Sequence, residues 1–271
     1  MDTAAECRGV GLFTGATRTV RLLCRVGPLA VSVAGTEVAL QELVVGAQGR
    51  TSVLRRCGDD APFVSCVEHL FAALGALGIR DGLLVDVDGD ELPLLDGGAL
   101  AWGRALLALA LPASPPKLRV VRDGVVSVGR ATYEWRRASS DESACEVHLD
   151  AFHPRVERVA RWDGTRRDFL ERIAPARTFV MAREIGWMLA QGLTAKVDPE
   201  SVVVLGDDEI FAAGRPFSAD EPARHKLLDL IGDLALHGGP PLGRVVALSP
   251  GHALTHEAVR RALAEGVVAR G

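Results

Sequence analysis

Three polar residues share one face of an otherwise apolar segment in the last quarter of the chain. Leucine and isoleucine recur at helical spacing over about residues 222–237, which predicts a helix buried around most of its circumference. His225, Asp229 and Asp233 follow one another at intervals of four residues, so a helix places them in one row. Burying an imidazole and two carboxylates is costly unless something compensates them, and His and Asp four residues apart are suitable zinc ligands. The alternative is a solvent-facing polar stripe on an amphipathic helix, and a third ligand elsewhere must decide between the two interpretations.

A candidate third ligand lies at the start of an earlier segment of helical periodicity, at about residues 67–77. His69, together with His225 and Asp229, would supply three protein ligands and leave a fourth position for water, as in catalytic zinc sites. Glu68 directly precedes this histidine and is suited to act as the base for that water. The alternative is a glutamate that the helix dipole favours in the first turn, followed by an ordinary, partly buried histidine.

The composition is that of a globular protein, with 271 residues of which 48% are hydrophobic and 24% charged. The formal net charge of −4 argues against nucleic acid as a partner. The five cysteines have no Cys-x-x-Cys spacing, which indicates reduced thiols rather than a disulfide framework or a zinc ribbon. No apolar segment reaches the ~18–20 residues needed to cross a bilayer, and the first ten residues lack a signal core. We therefore expect a cytoplasmic protein.

The clearest boundary in the chain is a proline-rich segment at residues 112–116, because adjacent prolines end helices and stiffen linkers. It separates a first region, residues 1–112, from a second region, residues 117–271. Both regions begin with segments typical of strands, one of them at about residues 37–44, and continue with helices around a further strand. This pattern predicts two α+β domains of similar build.

Four sequence blocks occur in the order found in a known enzyme family: Val67-Glu68-His69-Leu70, Ala176-Arg177-Thr178-Phe179, His225-Lys226-Leu227-Leu228-Asp229 with Gly232-Asp233, and Gly251-His252-Ala253-Leu254. They resemble the signature blocks of the UDP-3-O-acyl-N-acetylglucosamine deacetylases, the zinc amidases of lipid A biosynthesis in Gram-negative bacteria. Lesser matches are Gly9-Val10-Gly11-Leu12 with Thr14-Gly15, and Pro93 with Asp96-Gly97. The resemblance covers nearly the whole chain. It implies two similar α/β domains packed as a sandwich, with the helices between the sheets and the active site at the domain interface.

The resemblance also implies a role for each matching polar residue around the predicted metal. His69, His225 and Asp229 would be the zinc ligands, although Fe²⁺ suits the same ligand set. Glu68 would be the general base that deprotonates the attacking water. Thr178 would help to polarise the acetyl carbonyl and to stabilise the oxyanion. Taken alone, Thr178 could equally be a β-branched strand residue.

Three further residues complete the set that the resemblance implies. His252 would be a cation near the oxyanion and the proton donor to the leaving amine, with its imidazole held by Asp233. Lys226 would neutralise negative charge on the substrate or the intermediate. Each has an ordinary alternative: a residue at a helix N-terminus for His252, a carboxylate paired with an arginine for Asp233, and a solvated cation for Lys226.

The predicted reaction is hydrolysis of the N-acetyl group of UDP-3-O-acyl-N-acetylglucosamine, with release of acetate. The alternatives are a divergent zinc deacetylase that acts on another acetamido sugar and a non-catalytic relative that keeps the metal site. The expected partner is the UDP-linked acylated amino sugar, whose acyl chain would bring the protein transiently close to a membrane surface. We expect a monomer.

The chain departs from the family pattern at three places. Phe13 stands where the family usually has histidine, and Gly98 stands in place of a serine. The loop at residues 192–198 lacks an expected glycine pair in a region that resembles the acyl-chain passage. Outside the motifs, His237 is interpreted as a rim residue or a C-terminal helix residue that the helix dipole favours, and His256 has no polar constellation around it.

Overall fold

The computed structural model describes residues 3–138, 142–150, 152–190 and 196–271. In these ranges, five strands of the first half form the first large sheet: β1 (Ala4–Val10), β2 (Thr17–Pro28), β3 (Ala30–Val33), β4 (Thr36–Ala39) and β8 (Asp81–Val87). Their spatial order is β1-β2-β8-β3-β4. The central strand β8 is antiparallel to β2 and parallel to β3.

The second large sheet repeats this arrangement in the second half of the chain. Its described strands are β10 (Gly124–Val128), β11 (Ala131–Arg136), β12 (Ser143–His148), β13 (Val159–Trp162) and β17 (Gly243–Leu248). Their order is β10-β11-β17-β12-β13, and the central strand β17 is antiparallel to β11 and parallel to β12. The two sheets therefore have the same strand order and the same strand directions.

Smaller sheets and helices fill the intervals between these strands. The shorter strands are β5 (Leu43–Gln48), β6 (Thr51–Arg56), β7 (Val64–Ser65), β9 (Leu118–Val120), β14 (Thr178–Met181), β15 (Val202–Leu205), β16 (Ile210–Ala212) and β18 (Val268–Arg270). Strands β5, β6 and β7 form one small sheet, β14, β15 and β16 a second, and β9 pairs with β18. The helices are α1 (Glu68–Leu77), α2 (Leu100–Ala108), α3 (Arg166–Asp168) with a π-helical continuation (Phe169–Ile173), α4 (Ala182–Ala190), α5 (Glu221–Leu236) and α6 (His252–Ala264). None of the described helices combines the length and the apolarity that crossing a membrane requires.

Helices α1 and α5 begin and end where their sequences predict. Gly78 adopts a left-handed conformation with a φ of 74° and ends α1, while Pro222 occupies the first turn of α5. Each helix leads into the central strand of its large sheet. The buried side chains of both large sheets and of both helices belong to one continuous apolar core.

A close contact between the two helices brings the halves of the site together. A Cβ atom at Gly232 of α5 would lie 2.1 Å from the carbonyl oxygen of Glu68 in the first turn of α1. The absence of a side chain at this position is therefore what allows the backbones to approach so closely.

The prediction of an α+β fold is confirmed, and the similar build of the two halves extends to their strand order. The single strand predicted at residues 37–44 is wrong. Strand β4 ends at Ala39, and a 3₁₀ turn (Leu40–Glu42) carries the chain from the first large sheet into β5. The division into domains at residues 112–116 stays a prediction. Residues 192–195 of the divergent loop lie outside the described part of the chain.

Candidate active site

The three predicted metal ligands lie together in the structure. His69 comes from the first turn of α1, and His225 and Asp229 come from successive turns of α5. Their ligand atoms all lie within 4.8 Å of one another: the Nε2 atoms of His69 and His225 are 3.7 Å and 3.5 Å from Asp229 Oδ1. Tetrahedral ligands about 2.0–2.1 Å from a zinc ion lie roughly 3.3–3.4 Å apart. The two histidine–aspartate distances are close to this spacing, so the three side chains are suitably placed to hold a tetrahedral ion.

Hydrogen bonds on the far side of His225 and Asp229 fix the orientations of these two ligands. The carbonyl oxygen of Ala176 is 3.0 Å from His225 Nδ1, so this nitrogen donates the hydrogen bond and Nε2 is left with its lone pair facing the site. Lys226 Nζ donates to Asp229 Oδ2 at 2.7 Å, which leaves Oδ1 facing the two histidines.

The ionisation states of two of these groups suit a metal site. Burial lowers the pKa of His225 to about 4 despite the nearby Asp229, so its imidazole is neutral at physiological pH. Burial alone would raise the pKa of Asp229, but Lys226 and His225 hold it well below its ordinary value. A neutral imidazole and an ionised carboxylate are the forms that bind a metal ion.

A buried ion pair holds the segment that supports His225. Arg177 is fully buried at the start of the β14 segment and makes a bidentate contact with Glu221, at 2.8 Å and 3.1 Å, in the first turn of α5. Arg177 also donates to the carbonyl oxygen of Ala213. The pair therefore fixes the carbonyl of the neighbouring Ala176 relative to α5, and so the ring of His225.

Glu68 lies next to the metal ligands and is held by strand β6. The hydroxyl of Thr51 is 2.7 Å from both carboxylate oxygens, and the backbone N–H of Ser52 donates to Oε2 at 3.0 Å. The other side of Glu68 faces His252, whose Nε2 is 3.9 Å from Oε1.

His252 opens α6 and forms a pair with Asp233 of α5. Its Nδ1 is 2.9 Å and 3.0 Å from the two carboxylate oxygens, so Nε2 points towards Glu68 and Asp229. Burial alone would lower the pKa of His252, but Asp233, Glu68 and Asp229 together raise it to about 9. The imidazolium form therefore prevails at neutral pH, as a proton donor requires.

These groups line a cavity of about 120 Å³. Thr178 and Lys226 lie on its polar side, and Lys226 Nζ is 5.8 Å from the centre of the Phe179 ring. The apolar wall includes Leu12, Phe13, Leu94, Val180, Met188 and Val202. All eight predicted catalytic and metal-binding residues border this cavity or, in the case of Asp233, contact a residue that does.

Phe13 owes its place in the wall to a turn that Glu91 holds. This carboxylate is buried and accepts hydrogen bonds from the backbone N–H groups of Phe13 and Thr14, and from the Thr14 hydroxyl. A Cβ atom at Gly11 would lie 2.3 Å from Glu91 Oε2, which explains the glycine at this position. The glycine-rich motif therefore shapes the cavity through its backbone.

Sequence reasoning missed several residues around the site. Thr51 and Ser52 belong to β6, which was not predicted, although Gly49-Arg50 forms the two-residue turn of a β5–β6 hairpin and is a recognisable signal. The view that His256 has no polar constellation is wrong. It lies one turn after His252 on α6 and therefore shares its face, with Nε2 2.9 Å from the Ser52 hydroxyl.

The interpretation of His237 as a residue at the C-terminus of a helix is confirmed, but the helix dipole does not keep its ring charged. His237 does cap the C-terminus of α5, but burial and the neighbouring His256 lower its pKa to about 3. The neutral ring lies 3.1 Å from His256, measured from Nε2 to Nδ1.

Comparison with known proteins adds a family match. A profile of the UDP-3-O-acyl N-acetylglycosamine deacetylase family matches residues 1–264. Curated relatives named UDP-3-O-acyl-N-acetylglucosamine deacetylase include one from Myxococcus xanthus that is 32% identical over 98% of this chain and 86% of its own length. One from an Anaeromyxobacter species is 34% identical over 96% of this chain and 86% of its own length. One from Brucella melitensis is 31% identical over 97% and 93% respectively.

Proposed function

Because this chain belongs to the family of UDP-3-O-acyl N-acetylglycosamine deacetylases, we propose that it deacetylates a UDP-linked, 3-O-acylated N-acetylglucosamine in lipid A biosynthesis. Water adds to the acetamido carbonyl, the C–N bond breaks, and acetate and the free amine are released. The observation that supports this reaction best is the convergence of His69, His225 and Asp229 between a carboxylate, Glu68, and a protonated imidazole, His252.

The resident cofactor in this proposal is a zinc ion held by His69, His225 and Asp229. The donor set of two imidazoles and one carboxylate suits zinc and also Fe²⁺, and the spacing of the ligand atoms supports either. Such an ion would act as a Lewis acid and would lower the pKa of a bound water to about 7.

Glu68 is the general base of the proposed reaction. It lies beside a metal ligand and accepts hydrogen bonds from Thr51 and Ser52, so its carboxylate has a fixed orientation at the edge of the cavity. In this position it takes a proton from the attacking water.

The positively charged side of the site serves the oxyanion and the leaving group. His252 is protonated at neutral pH and directs Nε2 into the site, where it stabilises the oxyanion and then donates its proton to the departing nitrogen. Asp233 holds the ring by its Nδ1. Thr178 donates to the acetyl oxygen, and Lys226 adds positive charge beside the cavity.

The apolar wall of the cavity favours an acylated substrate over a sugar without an acyl chain. Val180, Met188 and Val202 come from β14, α4 and β15 and face the cavity together. A cavity of about 120 Å³ holds the acetamido group and its neighbours, while the nucleotide and the rest of the acyl chain extend beyond it. In this proposal the enzyme is a cytoplasmic monomer, and its two domains are residues 1–112 and 117–271. The acyl chain of the substrate brings it near a membrane surface.

Phe13 supports the second candidate function, a deacetylase acting on another acetamido sugar. It puts an apolar ring in the cavity wall where the family usually has histidine. A sugar without the usual polar contact at this point would suit this wall better.

The deciding experiment measures acetate release from the UDP-sugar with and without its acyl chain, using zinc-loaded protein. We expect turnover of the acylated substrate, loss of turnover with retained zinc in Glu68→Gln, and loss of zinc in His225→Ala. Glu257→Gln is the matched control, because Glu257 pairs with arginines on the exposed face of α6.

Turnover of the non-acylated sugar alone would favour the second candidate. Bound zinc without turnover of either sugar would favour the non-catalytic relative. Full zinc occupancy in His225→Ala would refute the ligand assignment.

A further inference from the structure

A chain of hydrogen bonds continues from the His252–Asp233 pair to His237 at the C-terminus of α5. Ser52 Oγ lies 2.6 Å from Asp233 Oδ1 and 2.9 Å from His256 Nε2, and His256 Nδ1 lies 3.1 Å from His237 Nε2. Ser52, Asp233 and His256 are each at most 1% exposed. The metal ligands and the residues assigned to the reaction do not account for Ser52, His256 or His237.

The distances determine which atom of each pair carries the hydrogen. The 2.6 Å separation of Ser52 Oγ and Asp233 Oδ1 is that of a hydroxyl donating to a carboxylate, so Ser52 donates its only proton there. Ser52 Oγ must then accept from His256, which requires a proton on His256 Nε2.

The rest of the chain follows from this assignment. Burial lowers the pKa of His256, although Asp233 and the carbonyl of Gly46 oppose this, which favours a neutral ring; with the proton on Nε2, its Nδ1 is an acceptor. His237 must therefore donate from Nε2. Every bond in the chain then points towards Asp233, which receives protons from Ser52 on one side and from His252 on the other.

Ser52 also connects this chain to the proposed base. Its backbone N–H donates to Glu68 Oε2 while its side chain donates to Asp233. One residue of β6 thus contacts both carboxylates that flank the reaction centre, from an element that supplies no metal ligand.

From this geometry we infer that Ser52 and His256 are positioning residues, which hold Asp233 so that His252 presents Nε2 to the leaving group. The inference rests on the proposed deacetylation. Without the Ser52 hydroxyl, Asp233 would keep its hydrogen bonds to His252 but lose the contact that anchors the pair to β6, so the two side chains would shift together. Ser52 does not line the cavity, so we expect the effect on kcat and not on KM.

The kinetic test compares Ser52→Ala with Ser52→Thr in zinc-loaded protein. We expect Ser52→Ala to lower kcat by roughly tenfold or more with an unchanged KM and zinc content, and Ser52→Thr, which keeps the hydroxyl, to recover most of the loss. His256→Leu should lower kcat in the same direction, and His256→Gln, which keeps a donor near the position of Nε2, should lose less. Ser143→Ala is the matched control, because it removes a serine hydroxyl that donates to the carbonyl oxygen of Pro240, outside this chain of hydrogen bonds, and kcat should not change.

Two further measurements separate positioning from a general effect on the fold. Ser52→Ala should add little to the loss in an Asp233→Asn background, because both changes disrupt the same contact. The ¹⁵N spectrum of the histidine rings should show His256 protonated at Nε2 in the unmodified chain.

The proposed function and this inference fail in different ways. If the unmodified protein released no acetate, the proposed function would be refuted. The ¹⁵N spectrum of the histidine rings would then still test the chain of hydrogen bonds. Wild-type kcat in Ser52→Ala, an equal loss of kcat in the Asp233→Asn background, or His256 protonated at Nδ1 would each overturn the inference.

Discussion

Replacing Gly232 by alanine tests how closely the proposed metal site depends on the contact between α1 and α5. The added Cβ would lie 2.1 Å from the carbonyl oxygen of Glu68 and 3.2 Å from the backbone nitrogen of Ala72. Ordinary van der Waals contact begins at 3.4 Å, so the first turn of α1 must move by about 1.3 Å. Neither neighbour is a flexible side chain that could turn away.

That displacement carries His69 away from His225 and Asp229. Metal–ligand distances tolerate changes of about 0.2 Å, so a shift of this size removes one of the three proposed ligands. We expect the zinc affinity of Gly232→Ala to fall by roughly a hundredfold or more, and kcat to fall with it. The overpacking itself should lower the free energy of unfolding by about 1–3 kcal/mol.

The assay is a zinc titration of metal-free protein against a competing chelator, with a urea denaturation curve for each variant. Gly75→Ala is the matched control: its Cβ would lie 2.8 Å from the Cβ of Ala235, between the same two helices but away from the ligands. It should lose stability and keep its zinc affinity within about threefold. A folded Gly232→Ala protein that binds zinc as tightly as the unmodified chain would refute the reasoning, as would equal loss of affinity in both variants.

Three other outcomes follow from the buried charges. Arg177→Met removes the buried cation of Glu221 and leaves it only a longer contact of 3.4 Å with the partly exposed Arg215, so it should cost about 3–5 kcal/mol in urea denaturation. Arg167→Met on the surface should cost less than about 1 kcal/mol. The pKa of His252 is raised from 6.5 to about 9 in the folded state, so the stabilisation is complete below pH 6.5 and is lost as the pH rises through 9. Metal-free protein should therefore lose up to about 3 kcal/mol across that range, and Asp233→Asn should remove most of the dependence; a flat profile in the unmodified chain would contradict the pairing. Zinc at a concentration of 100 Kd should stabilise the protein by about 2.7 kcal/mol, so a chelator should lower the thermal midpoint by the equivalent amount. The thermal midpoint of His225→Ala should not change. An equal shift in that variant would place the ion elsewhere.

The parts of the site that lie along one helix could be predicted from the sequence. His225, Asp229 and Asp233 share a face because the helical period places them there. Helix α5 covers Glu221–Leu236, close to the predicted residues 222–237. His69 joins them only through the packing of α1 on α5. The sequence pattern indicates the individual candidate ligands, and the family resemblance indicates that they bind one metal ion together.

The supports of the site could not be predicted in the same way. Thr51 and Ser52 are common hydroxyl residues on a short strand, and Ser52 contacts Asp233 across 181 positions of the chain. Pairing between distant strands and helices leaves no periodic signal in one sequence. His256 is different, because its spacing of four residues from His252 on one helix was visible and indicated a shared face.

The two large sheets have the same strand order, and α1 and α5 each lead into the central strand of its sheet. Glu68 and His69 come from one of these repeats, and the remaining candidate groups come from the other. Because the groups come from both repeats, the candidate site forms only where the repeats meet, at the contact of Gly232 with Glu68. The affinity for a metal ion therefore depends on the packing between the repeats as well as on the polar residues themselves.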